Sequence, residues 1–250
     1  MEGELRGTEI IQEERVELRS PVLIEGLPGL GLVGNIVVTY LIRQLKAKRF
    51  ASLYSPFFPY YVLSEKGKAR LLRMEFYYAR AGERDLLFLT GDCQPTTPEG
   101  QYNVASAILD FAKRHGVDLL ITLGGFSGVD EARVMGAFTN VSLLERLKRE
   151  GIEVDLSDNP IVGITGILLS IARFKGMEAI CLLGETRGYA PSLKPAKNVL
   201  KVLSKLLGLE IDLREIDKQI LRFDELKGKL EEIAKRELRR KEEEKLSYIS

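Results

Sequence analysis

Apolar and polar positions along this chain follow two alternating rhythms. Short continuous apolar runs occur at Val22–Ile24, Phe50–Ser55, Asp85–Thr90, Asp118–Leu123 and Ala179–Leu183. Between them, apolar residues recur at the spacing of one helix face over Asn35–Leu45, Glu99–His115, Val141–Glu150, Thr165–Phe174 and Ser192–Leu207. Apolar runs without in-and-out alternation are strands covered on both sides, and strands that alternate with helices form parallel sheets. The pattern therefore predicts an α/β fold with a largely parallel sheet covered by helices on both faces. Tyr61–Ser64 and Ala69–Tyr78 read as a hairpin turning through 65–68, and 133–140 reads equally as a strand or an extended loop.

After Leu207 the rhythm changes. Positions 210–245 are dense in both signs of charge, with Leu209, Leu213, Ile216, Ile220, Phe223, Leu226, Leu230, Ile233 and Leu238 along one helical stripe. A helix of about 30 residues is roughly 45 Å long. The expected organisation is an α/β core at 1–208 and a long charged C-terminal helix with its tail at 209–250. The tail ends in Leu246, Ser247, Tyr248, Ile249 and Ser250, an apolar and aromatic tip on a charged stalk. Such a tip suits docking to another protein better than catalysis.

Composition narrows the function classes. Lysine and arginine number 37 against 36 aspartate and glutamate, so no net field draws the chain to nucleic acid or to a membrane surface. No twenty-residue apolar span and no secretory pattern is present, and the two cysteines, Cys93 and Cys181, lie in or beside apolar strands. A reducing cytoplasm is the expected location. His115 is the sole histidine and ends a helix, where its partial charge is favourable. Histidine-based metal clusters and histidine-centred triads are therefore not expected.

Gly29, Gly31 and Gly34 form a G-x-G-x-x-G pattern between a strand and a helix, the context of a dinucleotide-binding turn. That turn needs a carboxylate about 20 residues on, at the end of the next strand, to hold the ribose. Phe50–Ser55 carries none and runs into Pro56, Phe57, Phe58, Pro59, Tyr60 and Tyr61. Lys46, Lys48 and Arg49 precede that strand rather than follow it. The alternative is that the glycines let the helix pack closely on the strand, and no cofactor is expected. The aromatic run that follows reads as a subunit contact or a lid.

Ligands of such sheets bind beyond the carboxyl ends of the strands. Asp92, Gly124, Gly125, Glu185 and Arg187 lie in those segments, and together would give paired acids, a cation and an anion-binding nest suited to ligase or phosphorylase chemistry. The competing reading makes them caps and loop braces, with Thr96 or Thr97 capping the next helix and Glu185 paired to Arg187. No nucleophile and base stand at a recognisable spacing, and Cys93 lacks a histidine partner.

Ile24–Gly34, Gly91-Asp92-Cys93-Gln94-Pro95, Gly163-Ile164-Thr165-Gly166 and Gly184–Tyr189 together resemble the archaeal branch of the proteasome assembly chaperones, over about residues 15–207. The resemblance implies a phosphorylase-like α/β fold and no established catalysis. It also implies self-association into a homo-oligomer, a tetramer or pentamer, and binding to proteasome α-subunits or another assembly factor. Relatives have been grouped with ATP-dependent carboxylate-amine ligases, which makes a small-molecule enzyme the alternative. Some relatives end in a hydrophobic residue, tyrosine and one further residue; here Tyr248 is third from the end, which shifts the terminal carboxylate by about 3.5 Å. The expected partner-binding residues remain Leu246, Tyr248, Ile249 and Ser250.

Overall fold

The computed structural model describes residues 7–149, 160–226, 228 and 229. In chain order the elements are β1 (Glu9–Gln12), β2 (Val22–Glu25), a 3-10 turn (Leu30–Leu32), α1 (Val33–Gln44), β3 (Lys48–Tyr54), β4 (Val62–Glu65), β5 (Lys68–Leu71), β6 (Met74–Ala81), β7 (Arg84–Gly91), α2 (Pro98–Arg114), β8 (Leu119–Ser127), β9 (Val134–Phe138), α3 (Val141–Arg149), α4 (Ile164–Phe174), β10 (Glu178–Thr186) and α5 (Leu193–Leu207). The chain divides into two compact units, Met1–Ile211 and Asp212–Ser250. In the second, residues 214–226 are helical, and the Asp212 carboxylate accepts the Arg214 amide at 2.9 Å to pin the first turn.

The apolar runs form the centre of an eight-stranded sheet of order β1, β3, β6, β7, β2, β8, β10, β9. β7, β2, β8 and β10 are parallel neighbours, while β1, β6 and β9 run the other way along the flanks. Side chains alternate between the two faces. Leu23, Leu87, Leu89, Leu120, Cys181 and Leu183 pack with Val104, Ile108 and Phe111 of α2 and Leu168 and Ala172 of α4. Val22, Ile24, Phe88, Ile121 and Leu182 are buried on the opposite face, where α1 and α5 lie with Val37, Leu41, Val199 and Leu203. The sheet is thus sandwiched between two helical layers, as the apolar runs imply.

Two elements differ from the pattern-based expectation, and a third settles an alternative the pattern left open. The run Ala69–Tyr78 breaks after Leu71, because Leu72 turns into the core and the Arg73 amide binds Asp92 at 2.9 Å. Its first part pairs with β4 through the Lys66-Gly67 turn, and its second becomes β6 of the main sheet. Residues 134–138 are a strand, added antiparallel to β10. β1, whose burial is partial, carries no apolar run and was not anticipated.

Candidate functional site

The carboxyl ends of β2, β7, β8 and β10 form the edge where an α/β sheet takes its ligands. Here protein atoms occupy it. A Cβ on Gly34 would stand 2.2 Å from the Leu123 carbonyl oxygen, and one on Gly26 would stand 2.2 Å from that of Gly34. α1 therefore lies backbone against backbone on β8 and on the start of its own loop. Gly31 is left-handed at φ +62°, with Thr186 Oγ1 2.7 Å from where a Cβ would stand. The loop is also stitched from outside. Gln94 Nε2 donates to the Pro28 carbonyl at 2.8 Å, its Oε1 accepts the Ile164 amide at 3.2 Å, and the Ser192 amide donates to the Gly31 carbonyl at 2.9 Å. β3, the strand after α1, is separated from β2 by β6 and β7, so its end is remote from a ribose placed over this turn. Gly31 and Gly34 act as packing residues, whereas a Cβ on Gly29 would meet nothing closer than Gln94, at an ordinary 3.4 Å.

Asp92 and Glu185 do not meet. β7 and β10 are three strand spacings apart, about 14 Å, and each acid is held by its own arginine. Asp92 accepts two hydrogen bonds from Arg70, at 2.6 and 3.0 Å, and the Arg73 amide. Partial burial raises the Asp92 carboxyl, but the Arg70 guanidinium, the Arg73 amide and the charge of both arginines together outweigh it and hold the group below the usual range. Glu185 is inaccessible to solvent and binds Arg133 through two nitrogens, at 2.7 and 3.1 Å, and the Val129 amide at 2.8 Å. Arg133 pulls its carboxyl down to about 2, with the amides of Asp130 and Val129 assisting. Arg187 turns away, donating to the Val129 carbonyl at 3.0 Å and lying 3.7 Å from Glu131. The expected Glu185–Arg187 pair is thus replaced by Glu185–Arg133.

Gly124 and Gly125 correct the sequence reading as well. They lie inside β8, paired with Leu183 and Gly184, rather than in a loop that could form an anion nest. Gly125 is small because the Leu30 carbonyl oxygen comes within 2.3 Å of its would-be Cβ. Thr97 caps α2 by accepting the Gly100 amide at 3.1 Å. Cys93 is buried, which together with nearby Asp92 pushes its thiol up to about 12, far from a thiolate at neutral pH. His115 caps α2 at its C-terminus, with its ring 4.3 Å from that of Phe111. Among the described residues no cluster of His, Cys, Asp or Glu is arranged for a metal, and no helix is long and apolar enough to cross a membrane. Leu246, Tyr248, Ile249 and Ser250 lie outside the described residues.

A buried acid at this edge was missed. Glu25 ends β2 with no solvent exposure, beside Thr122 of β8, which in turn neighbours Cys181 of β10. Its Oε1 accepts the Leu27 amide at 2.9 Å, but Oε2 has no partner among the described residues. Burial pushes its carboxyl up to about 8. The signal was an acid closing an otherwise apolar strand at Val22-Leu23-Ile24, immediately before the glycine turn.

A PAC2 family model matches residues 23–231. The chain belongs to the PAC2 family. Among solved structures, PbaB of Pyrococcus furiosus, an archaeal proteasome activator, is 40% identical, with a TM-score of 0.85 over 90% of this chain and 99% of that one. PbaA of the same organism, an archaeal homolog of proteasome-assembly chaperone, is 28% identical, with a TM-score of 0.72 over 88% of this chain and 94% of that one. An uncharacterised protein of Methanocaldococcus jannaschii is 34% identical over 242 residues, 93% of each chain.

Proposed function

We propose that this PAC2 chain works without catalysis, as a cytoplasmic proteasome-assembly chaperone-like protein. It self-associates and binds proteasome α-subunits or another assembly factor, partly through 209–250 and the tip residues Leu246, Tyr248, Ile249 and Ser250. The observation that carries this reading is the edge of the sheet: the glycine turn is stitched to α4 and α5, and Asp92 and Glu185 are each consumed by an arginine. Membership of the PAC2 family and the likeness to PbaB and PbaA support a chaperone-like role.

The test is capture of recombinant archaeal α-subunits by the full chain, followed by sedimentation. Co-sedimentation is expected, and its absence would remove α-subunits as the partner and leave only another assembly factor. Removing 209–250 should weaken capture; unchanged capture would take the extension out of the mechanism. A thermal-shift screen against nucleotides and phosphates addresses the alternative of a ligase-like or phosphorylase-like enzyme. A ligand at 100 times its dissociation constant adds about 2.7 kcal/mol of stability, and such a shift would favour the enzyme. The 40% identity to PbaB favours a second reading, in which the chain acts on the assembled proteasome. Faster peptidase turnover by the complete particle on addition of the chain would select it.

A further inference from the structure

The segment that leads from β1 to β2 and the end of α2 enclose a cleft of about 780 Å³ at the amino ends of the strands, opposite the closed carboxyl edge. Sites for small molecules span about 300–1,000 Å³. Val16 and Leu18, which pack on the hydrophobic core, supply its apolar lining. Both walls are fixed. On one side the Glu13 and Glu14 amides donate to the Phe50 carbonyl at 2.7 and 3.2 Å, and Arg80 donates to the Glu17 carbonyl at 2.8 Å. On the other, the Phe111, Ala112 and Lys113 carbonyls accept the His115, Val117 and Gly116 amides, so these acceptors of the helix end are already engaged.

Cationic and polar groups from the two walls line this cleft together. Arg15 comes from the segment, and Arg114 and His115 come from α2. Neither arginine has a carboxylate partner among the described residues, whereas Arg49, Arg70, Arg80 and Arg84 of the strands each face one. Arg114 instead stands 5.8 Å from the Phe111 ring. His115 Nδ1 donates to the Phe111 carbonyl at 2.9 Å, which leaves Nε2 for a ligand. The acid of the lining is Glu17, while nearby Glu13 is held by Arg49 and Ser52. Glu14 and Lys113 stand beside the cleft, outside its lining and opposite in charge.

We propose that this cleft binds a phosphate group, free or carried by a small phosphate monoester. Two guanidiniums and an imidazole from separate chain segments suit a tetrahedral oxyanion with several acceptor oxygens, whereas a planar carboxylate is satisfied by one arginine fork. Glu17 weakens the site without cancelling it, because two arginines against one acid leave an excess of positive charge. Val16 and Leu18 give the apolar part of an ester a place to lie. The site is separate from the surfaces proposed to meet proteasome subunits.

His115 is the sole histidine of the chain, so its ring resonances in a proton–carbon correlation spectrum of the full chain report on this cleft alone. At fixed pH, inorganic phosphate and, separately, a nucleoside monophosphate should each move them along a saturating curve, while sodium chloride at matched ionic strength should not. Arg15→Gln and Arg114→Gln should each weaken the phosphate curve about tenfold, the loss of a charge-assisted hydrogen bond, and Glu17→Gln should tighten it. All three side chains are exposed, and equal melting of the variants without phosphate shows that they remain folded. Tighter binding of the monophosphate identifies an ester as the ligand; equal or weaker binding identifies free phosphate. Resonances that stay in place, follow the salt control, or move equally in the arginine variants overturn the site. A rise in melting temperature with phosphate that vanishes in the arginine variants belongs to this cleft, whereas one that survives in them counts against it and for the enzyme alternative at the carboxyl edge.

Discussion

Replacing Glu25 with glutamine isolates the chemistry of one buried proton. In the folded chain burial keeps the Glu25 carboxyl protonated up to about 8, against 4.5 in an unfolded chain. Between those values the folded state binds one proton more than the unfolded state, so unfolding free energy falls as pH rises. The contribution is complete below the unfolded value, is lost progressively through the folded value, and is flat beyond it. At about 1.36 kcal/mol per pH unit, a window of roughly three and a half units amounts to at most about 5 kcal/mol. For a chain of this length each kcal/mol moves the melting temperature by about 2–4 °C.

Glutamine keeps an oxygen for the Leu27 amide and is neutral at every pH. Its NH2 group, standing in place of the oxygen that lacks a partner, costs about 1–3 kcal/mol, but equally at all pH values. The slope of stability against pH is therefore the informative quantity, and subtracting the two curves removes every other titration common to both proteins. Guanidinium unfolding at half-unit steps from pH 4.5 to 9 should give a difference of about 3–5 kcal/mol between the ends, growing in favour of Glu25→Gln as pH rises. Parallel curves would show that Glu25 is ionised in the folded chain and would refute the reasoning.

Gly34→Ala places a methyl 2.2 Å from the Leu123 carbonyl oxygen, so α1 must lift off β8 and stability should drop by about 3 kcal/mol in chemical unfolding. Arg133→Ala leaves Glu185 without its guanidinium, and its melting temperature should fall clearly at pH 7. Because the Glu185 carboxyl is depressed to about 2, the lost contribution is one present above 4.5 that fades as pH drops toward 2, so mutant and parent should converge in acid. Asp92→Asn keeps the shape of the loop but weakens its grip on Arg70. Trypsin should then cut after Lys66 or Lys68 several times faster, while cleavage elsewhere is unchanged.

Much of the architecture was legible because apolar patterning reports burial directly. Val22–Ile24, Leu119–Leu123 and Ala179–Leu183 have no polar alternation and lie in β2, β8 and β10, covered on both faces. The flanks were harder. β1 is only partly covered, so no periodicity separates it from loop, and the break at Leu72, which ends the anticipated hairpin and starts β6, depends on an amide of Arg73 reaching a side chain 19 residues away. Asp92, Glu185 and Arg187 were flagged by residue type at loop ends, but their partners are set by strand order. Arg70 and Arg133, which decide the fate of both acids, lie in a hairpin and beside β9, and only the folded sheet brings them in.

The glycine turn shows why a motif can persist in form while its chemistry changes. A dinucleotide turn uses glycines so that ligand phosphate can approach the backbone. In this chain the same freedom admits protein instead: Thr186 at Gly31, the Leu30 carbonyl at Gly125, the Leu123 carbonyl at Gly34. Gln94 then bridges the Pro28 carbonyl to the first amide of α4, a donor that would otherwise point at solvent or at an anion. Loops whose polar groups are internally paired need no ligand to become rigid, so a partner that docks on them loses little conformational entropy in ordering them. The pairing of Asp92, Glu185 and Gln94 leaves these loops already ordered, which suits the scaffold role proposed above.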